Sequence, residues 1–377
     1  MTRLIVAAGG GGDAVAAVML HAALYGHVEQ AVILTYAWER LLVDPLPGPR
    51  GPGDFTGLEP ITPAVRAVSS GSRPVAPAGS TLPRLAAELP HAFALIDPRR
   101  GVEGITRQLD ELVRYLAPSS IDLLDVGGDI LARGDEPTLK SPLADALMLA
   151  ACYRVDAPVR LLVAGPGLDG ELPLDDLRDQ LGAVVHTFTA TDVESIGSVL
   201  EWHPSEATGM LAAAALGVRG ICEVRDAGLP IELTAESPTV HEADLDPAIA
   251  RNELARAIMA TESLSEAEAH SRAVCGYSEI DYERNKAAQL GARPPVDLDR
   301  RTVMTRLDRF EDAARRRGVT HTTFRHLTEA LHLNGAQREG LRQFLISSRP
   351  QQYTAPLWSL TRKPVPSEGH EEPNRLR

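Results

Sequence analysis

The stretch LIVAAGGGGDAVAAVML, from Leu4 to Leu20, decides the fold class. Its apolar run Leu4–Ala8 is typical of a buried strand, and the four glycines that follow, Gly9, Gly10, Gly11 and Gly12, are typical of a tight turn. The segment from Asp13 onward has helical character. A strand, a turn and a helix in this order form the repeating unit of parallel α/β sheets.

The same alternation continues to about Leu200 and predicts the fold of the first 285 residues. The predicted strands are Leu4–Ala8, Ala31–Tyr36, Ala92–Asp97, Ile121–Val126, Val159–Ala164 and Val184–Phe188. The predicted helices are Asp13–Tyr25, Val102–Leu116, Pro142–Tyr153, Leu174–Leu181 and Asp192–Leu200. We therefore expect an α/β domain over residues 1–285 with a Rossmann-like, open, mostly parallel sheet and helices on both faces.

One segment interrupts this rhythm. Asp44–Pro90 contains ten of the 28 prolines, so we expect an irregular insertion over residues 44–90 that acts as a lid or binding loop. After the sheet, residues 299–348 have the pattern of a C-terminal helical module. The proline-rich and charged tail, residues 349–377, is expected to be disordered.

Between these regions the stretch HPSEATGMLAAAALGVRG predicts a capped helix. Pro204 suits its first position, Glu206 its positive first turn, and Gly217 the position just after its end. A hairpin with its turn at Ala227 and Gly228 should follow. Two more helices are then predicted, Pro247–Ala260 and Glu262–Val274.

Charge and composition exclude several classes of protein. The formal net charge of -13 argues against a general nucleic-acid or anionic-membrane surface. The three cysteines form no C-x-x-C pair, and no apolar run is long enough to span a bilayer, so a cytoplasmic protein is expected. Residues 301–350 differ, with ten arginines against five acids, and their helices around LNG leave a helix-turn-helix open as an alternative.

The glycine turn at the start of the chain has two counterparts. IDLLDVGGDI (121–130) places Gly127, Gly128 and Asp129 after a strand, and RLLVAGPGLDGEL (160–172) places Asp169 and Glu171 after another. The turns that follow parallel strands lie at one edge of the sheet, where such sheets bind ligands. We expect a phosphate- or ribose-containing small molecule to bind on the glycines and on the first turn of the helix. A tight turn that binds no ligand stays open as the alternative.

Acidic side chains should crowd this edge. Asp13, Asp125, Asp129, Asp169 and Glu171 would repel one another unless Mg²⁺, ribose hydroxyls or arginines compensate. The arginines expected there are Arg99 and Arg100. Asp13 could instead cap its helix and Asp125 could bind backbone amides, so Asp129 and Asp169 are the preferred metal ligands and catalytic groups, together with Glu171.

Three other residues are candidates for the same site. Lys140 begins a helix, where the dipole gives a cation no reason to be, so it could meet a phosphate; Ser141 and Pro142 fit an N-cap and a first helical position. His203 and Glu206 are candidates for proton transfer, although helix capping explains their neighbourhood equally well. The full G-x-G-x-x-G fingerprint is missing, which disfavours NAD.

The blocks GGGGD, DVGGDIL, SPLAD, GPGLDGEL and HPSEATGMLAAAALGVRGICEVR resemble, as a set, an uncharacterised family of archaeal and actinobacterial proteins known as a domain of unknown function. The resemblance covers roughly residues 1–285. It implies a Rossmann-type α/β fold and no catalytic assignment.

The sequence thus predicts an enzyme that acts on a nucleotide, a nucleoside or a sugar phosphate by group transfer or hydrolysis, because positioning and electrostatics dominate such reactions. The alternative is a non-catalytic nucleotide sensor whose C-terminal helices report the ligand. A structural subunit is the third interpretation, and a homo-oligomer is compatible with all three.

Overall fold

The computed structural model describes residues 2–26, 28–224, 229–291 and 299–361. The strands are β1 (Thr2–Ala7), β2 (Gln30–Thr35), β3 (Phe55–Thr56), β4 (Glu59–Pro60), β5 (Arg66–Val68), β6 (Arg73–Pro74), β7 (Ala92–Leu95), β8 (Ile121–Val126), β9 (Val159–Ala164), β10 (Val184–Thr187), β11 (Gly220–Glu223), β12 (Ile231–Leu233), β13 (Thr239–Ala243), β14 (His321–Thr322), β15 (Tyr353–Thr354) and β16 (Leu357–Ser359).

The helices are α1 (Gly11–Tyr25), α2 (Leu82–Glu88), α3 (Gly101–Leu116), α4 (Pro142–Arg154), α5 (Leu174–Arg178), α6 (Ala190–Val193), α7 (Gly197–Leu200), α8 (Glu206–Ala215), α9 (Leu245–Arg251), α10 (Glu253–Ile258), α11 (Leu264–Cys275), α12 (Glu279–Gly291), α13 (Arg300–Arg316), α14 (Phe324–Ala330) and α15 (Arg338–Ser348). Within the described residues, no helix is both long and apolar enough to cross a membrane.

A nine-stranded mixed sheet organises the fold, in the order β10-β13-β9-β8-β1-β2-β7-β5-β4. Its five central strands, β9, β8, β1, β2 and β7, are parallel, and the strands on both flanks are antiparallel. The chain builds β1, β2 and β7 in one direction and then returns to place β8 on the other side of β1. Neighbouring connections diverge at β1 and β8, and open α/β sheets have a ligand-binding crevice at such a point.

Both faces of the sheet are buried, as the continuous apolar strands require. In β1, Leu4 and Val6 pack into one core with α3 and α4, whereas Ile5 and Ala7 pack into a second core with α1 and α8. The α/β class and the helices on both faces are therefore as expected, while the sheet is mixed rather than simply parallel.

The insertion is more regular than expected. β4 and β5 extend the main sheet beyond β7, while β3 and β6 pair with each other and α2 completes the segment. Its many prolines did not prevent strands, because Pro60 and Pro74 lie in two-residue strands at a sheet edge or in a small separate sheet, where a missing N–H group is tolerated.

The C-terminal segment also differs from its expectation. A second sheet, in the order β12-β11-β14-β16-β15, joins it to the rest of the chain. Disorder from residue 349 is wrong for residues 349–361, because Trp358 of β16 is completely buried in a separate apolar core with Leu307 and Leu345. Residues 362–377 lie outside the described residues. So does the hairpin turn expected at Ala227 and Gly228, although the two strands β11 and β12 do pair antiparallel.

Two helix boundaries also need correction. Ser205, and not His203, is the N-cap of α8: its Oγ accepts a hydrogen bond from the Thr208 N–H, which leaves Pro204 outside the helix. The single helix expected over 247–260 is divided into α9 and α10 at Asn252, whose side chain accepts a hydrogen bond from the Ala255 N–H and begins a new helix.

Candidate functional site

A cavity of about 150 Å³ opens at the carboxyl edge of the sheet, beside β1 and β8. The segments that follow β1, β2, β8 and β9 line it, together with the first turns of α1, α4 and α8 and residues of α12 and α14. The first turns of three helices therefore meet at one place, and their free N–H groups make this edge locally positive.

The glycine turn lines the cavity, but its glycines serve protein packing. A Cβ on Gly10 would lie 2.5 Å from the carbonyl oxygen of Trp38, and one on Gly12 would lie 2.3 Å from Ser205 Oγ. None of the four glycines has a positive φ. The space beside Gly10 and Gly12 is filled by the segment after β2 and by the start of α8, so packing alone accounts for these two glycines, and a phosphate bound at the turn stays a prediction.

Three carboxylates meet at the base of the cavity. Oxygen atoms of Asp13 (first turn of α1), Asp125 (β8) and Asp145 (first turn of α4) all lie within 4.8 Å of one another. We call these three residues the carboxylate trio. Asp125 and Asp145 are 1% and 3% exposed. Asp13 is not an N-cap, because Gly10 occupies that position and the Asp13 carboxylate accepts a hydrogen bond from the Gly9 N–H.

The trio is only partly satisfied by hydrogen bonds. Asp125 Oδ2 accepts a hydrogen bond from the Gly128 N–H at 2.7 Å, which requires the left-handed backbone of Gly128 (φ 104°). By contrast, Asp145 Oδ1 is buried and has no hydrogen-bond partner. A buried oxygen without a partner is costly, so this position needs an explanation.

Burial raises the pKa of every member of the trio. The pKa of Asp125 reaches about 6, and those of Asp13 and Asp145 lie well above their usual range because Asp125 adds repulsion to burial. Burial, with the neighbouring Glu283, also raises the pKa of Glu279 to about 8. These carboxyl groups cannot all be ionised at neutral pH without a compensating cation.

Asp129, Asp169 and Glu171, predicted as the catalytic acids, also line the cavity but lie outside the trio. Glu171 holds the start of α4, because its carboxylate accepts hydrogen bonds from the N–H groups of Lys140 and Ser141 and from Ser141 Oγ. Ser141 therefore occupies the N-cap position without capping through its side chain.

The two predicted metal ligands have different surroundings. Asp129 is 6% exposed and accepts a long hydrogen bond of 3.5 Å from Ser141 Oγ. Asp169 Oδ1 accepts a hydrogen bond from the Glu171 N–H, whereas its Oδ2 is buried without a partner. Burial raises the pKa of both groups, with added repulsion from Asp145 for Asp129 and from Glu171 for Asp169.

Gly127 and Gly128 do not line the cavity but support these acids from behind. A Cβ on Gly127 would lie 2.3 Å from Asp169 Oδ2, and Gly128 binds Asp125 as described above. Both were predicted to contact the ligand, and the structure instead places them against the carboxylates.

Of the expected cations, Lys140 lines the cavity but Arg99 and Arg100 do not. Arg99 follows β7, which three strand spacings, or about 14 Å, separate from β8. It pairs with Asp54, is 54% exposed and does not line the cavity, and Arg100 does not line it either. Arg40, four residues beyond Tyr36 in the segment after β2, takes this place.

Arg40 is exposed, and its guanidinium has no direct ion-pair partner among the described residues. Its side chain is exposed to solvent inside the cavity and forms no hydrogen bond or ion pair with the described part of the chain. The carboxylates of Glu279 and Glu171 act on it from a distance. Lys140, at the opposite wall, is half-buried, and its ammonium group likewise has no partner among the described residues. Either cation could bind an anionic group of a ligand.

His203 and Glu206 both line the cavity, but neither is free to act as predicted. Burial, aided by Arg338, lowers the pKa of His203 to about 3, so the imidazole is neutral. Its Nδ1 accepts the Ser205 N–H at 3.3 Å, which leaves Nε2 as the donor, buried and without a partner. Glu206 pairs with Arg325 at 2.9 Å.

Several cavity residues escaped the sequence reasoning. A polar stripe of α12, formed by Glu279, Glu283 and Lys286, is buried at the spacing i, i+4, i+7. Charged residues at this spacing on one helix face, in the stretch EIDYERNK, are a readable signal. Asp145 lies in the first turn of α4, and the sequence already groups it with Lys140 and Ser141, but it was not predicted as a metal ligand. Arg325 comes from the C-terminal segment, which no local pattern connects to this edge.

The expected lid does not reach the site. None of the cavity-lining residues belongs to the insertion 44–90. The insertion does contact the segment after β2, because Glu39 accepts hydrogen bonds from the N–H and Oγ1 of Thr81 and thereby holds the start of α2. Glu39 is therefore engaged in the fold.

No curated protein and no solved structure significantly matches the chain. A family model described as "Protein of unknown function (DUF1152)" matches residues 4–287, which is most of the chain, and the protein belongs to this family.

Proposed function

We propose that the protein is an enzyme that binds a divalent cation such as Mg²⁺ and catalyses group transfer or hydrolysis on a nucleotide, a nucleoside or a sugar phosphate. The observation that carries the proposal is the carboxylate trio, whose oxygen atoms approach one another within 4.8 Å at the base of a cavity. Carboxylate oxygens are the preferred protein ligands of Mg²⁺.

A cation would resolve two costs of the trio. Burial, followed by repulsion among the carboxylates, raises the pKa values of Asp13, Asp125 and Asp145, and a divalent cation would favour their ionised forms. It would also give Asp145 Oδ1 a partner. This oxygen is closed to water, but a bare cation is smaller than a water molecule. The trio replaces Asp129 and Asp169 as the proposed metal ligands.

The substrate class rests on the cations opposite the trio. Arg40 opens on the same cavity without a direct ion pair to the described residues, although the carboxylates of Glu279 and Glu171 attract it from a distance. A phosphate fits this arrangement, because its oxygens can contact a metal ion and an arginine together. The strand order of the parallel core, with the cavity at the divergence of β1 and β8, supports the proposal of a Rossmann-like fold, in which nucleotides bind at this place.

The chain's own residues then have distinct roles. Arg40 and Lys140 orient the phosphate and balance its charge. Asp129 and Asp169 lie beside the trio, where burial and neighbouring carboxylates raise their pKa values, and they are the candidates for general acid catalysis. Positioning and charge stabilisation of this kind supply most of the acceleration in phosphoryl transfer.

The test is calorimetric titration with Mn²⁺ of the wild-type chain, Asp145→Asn and Asp135→Asn. Asp145→Asn keeps the side-chain shape and should lower Mn²⁺ affinity about tenfold or more, since it removes a charged ligand. Asp135 is 70% exposed and serves as the matched control, with unchanged affinity. Failure of the wild type to bind Mn²⁺, or equal affinity in Asp145→Asn, would exclude the proposed metal site.

One observation favours the alternative of a ligand sensor. Arg325, in the first turn of α14, lines the cavity and so connects the ligand site to the C-terminal helices. Incubation with Mg²⁺ and candidate nucleotides or sugar phosphates separates the two functions. An enzyme converts a ligand that raises its melting temperature, and Asp129→Asn or Asp169→Asn stops the conversion, whereas a sensor returns the ligand unchanged.

A further inference from the structure

The cavity has a second, basic end that comes from outside the family match. Arg325 lines the main cavity and also a smaller pocket of about 30 Å³, which shares His203, Pro204 and Ser205 with it. Arg338 and Arg342, from α15, line the smaller pocket. All three arginines belong to residues 299–361, whereas the family match ends at residue 287.

This basic end is tightly joined to the loop between α7 and α8. The Thr323 hydroxyl donates a hydrogen bond to Glu206, and Arg325 Nη1 pairs with Glu206 Oε2 at 2.9 Å, with both charged side chains only 7% exposed. Arg338 donates a hydrogen bond to the carbonyl oxygen of Trp202. The C-terminal segment thus fixes the loop that carries His203.

Arg338 differs from the other two arginines of this end. Arg325 pairs with Glu206 and, at 3.6 Å, with Glu329, and Arg342 pairs with Glu201, but Arg338 forms no ion pair with the described residues. Burial is the main reason that the pKa of Arg338 falls to about 10, and Arg342, Arg84 and Arg325 lower it further. An oxyanion would relieve this crowding of cations.

The neutral imidazole of His203 lies where the two pockets meet. His203 lines both, and its buried Nε2 has no hydrogen-bond partner. Since Nδ1 accepts the Ser205 N–H, the proton resides on Nε2. The junction therefore offers one unused N–H donor in a pocket that Arg325 and Arg338 also line, just before the N-cap of the ten-residue helix α8.

We propose that Arg325 and Arg338 of the C-terminal segment, with His203, form an oxyanion subsite of the cavity that binds a phosphoryl group of the ligand. The assignment of a phosphoryl group rests on the proposed function. None of the three residues of the subsite belongs to the trio, and Arg40 does not line the smaller pocket. A ligand that occupies it binds the sheet domain and the C-terminal segment at once, so its binding stabilises the contact between them.

The experiment measures inorganic pyrophosphate binding by the full-length chain with calorimetry. Arg338→Met and the double variant Glu206→Gln/Arg325→Met are compared with wild type. The double variant removes both charges of the Glu206–Arg325 pair, and Glu329, which lies 3.6 Å from Arg325 Nε, keeps its charge. Arg317→Met is the matched control, because Arg317 also bridges the segment to the sheet domain, through Glu223, at an exposed position outside both pockets.

We expect Arg338→Met and the double variant to weaken pyrophosphate binding about tenfold or more, with Mn²⁺ binding unchanged, and Arg317→Met to bind like wild type. In wild type, pyrophosphate should slow hydrogen exchange of the α14 amides, and Arg338→Met should abolish this protection. Wild-type affinity in both cavity variants, or no pyrophosphate binding by the wild-type chain, would overturn the subsite. Absence of Mn²⁺ binding by the wild-type chain would exclude the proposed metal site, and the pyrophosphate measurements would still decide the oxyanion subsite.

Discussion

Arg40 is a cavity residue whose substitution can distinguish a role in ligand binding from a role in folding. Most charged side chains around the cavity are engaged: Glu171 holds α4, Glu39 holds α2 and Glu283 accepts hydrogen bonds from Trp38 and Gly48. The Arg40 guanidinium has no such partner among the described residues. Its removal should therefore alter ligand binding more than folding.

We predict that Arg40→Met lowers pyrophosphate affinity by about 10- to 100-fold, the range of a charged hydrogen bond. Mn²⁺ affinity should stay equal or rise, because a repelling cation is lost. Arg99→Met is the control, since Arg99 lies at the same edge but pairs with Asp54 outside the cavity. Calorimetry measures both ligands, and equal losses in the two variants would contradict the assignment of Arg40.

At the scale of elements, the segment after β2 crosses directly against the turn between β1 and α1. The carbonyl of Trp38 lies so close to Gly10 that a Cβ would come within 2.5 Å of it, and backbone cannot rotate away as a side chain can. The glycines thus allow the segment after β2 to approach the start of α1, which brings Arg40 to the cavity.

We predict that Gly10→Ala destabilises the protein by about 1–3 kcal/mol, the usual cost of overpacking. Gly197→Ala is the control: Gly197 has helical backbone angles and open space around its Cβ position, so the change should be neutral or stabilising by up to about 1 kcal/mol. Urea unfolding measures both. A Gly10→Ala chain as stable as wild type would show that the crossing is not tight.

The local patterns of the sequence predict the elements of the sheet domain well. β1, β2, β8, β9, α1, α3 and α4 lie within a few residues of their expected bounds, because buried strands and capped helices leave local signals. The order of the strands is not local. Without the strand order, Arg99 and Arg40 both simply follow a strand at the same edge of the sheet. Only the position of β7, beyond β2, shows that Arg99 is too far from β8 to line the cavity.

The site illustrates the same limit. Asp13 and Asp125 were recognised as edge acids, but their contact with Asp145 depends on how α4 crosses the sheet. The C-terminal segment was misjudged because its tail is rich in proline and charge, whereas the buried side chains of Leu357, Trp358 and Leu360 and the pairing with β14 order this part of the chain. Tertiary packing overrides composition there.

For the whole molecule, the excess of buried acids predicts an unusual dependence of stability on pH. An acid whose folded pKa is raised stabilises the fold below its unfolded pKa, and this contribution is lost as pH rises through the folded pKa. The pKa of Glu279 is about 8, and those of the trio are raised as well. The pKa values of His203 and His321 are lowered, so these two side chains change the free energy of unfolding only at pH values below the usual histidine pKa.

We predict that the free energy of unfolding of the metal-free protein falls by about 2 kcal/mol between about pH 6.5 and about pH 8 because of Glu279 alone. The slope is about 1.4 kcal/mol per pH unit. Urea unfolding in EDTA measures this loss. Mn²⁺ should restore stability more at the higher pH, where more carboxylates are ionised. Metal-free stability that is constant or rises over this interval would contradict the prediction.

The most direct measurement of the central claim is a crystal structure of the protein grown with Mn²⁺, with data collected for anomalous scattering. The account predicts one strong anomalous peak at about 2.2 Å from oxygen atoms of Asp13, Asp125 and Asp145, and no such peak in Asp145→Asn. Ordered carboxylates with no peak between them, or a peak held by other residues, would contradict it.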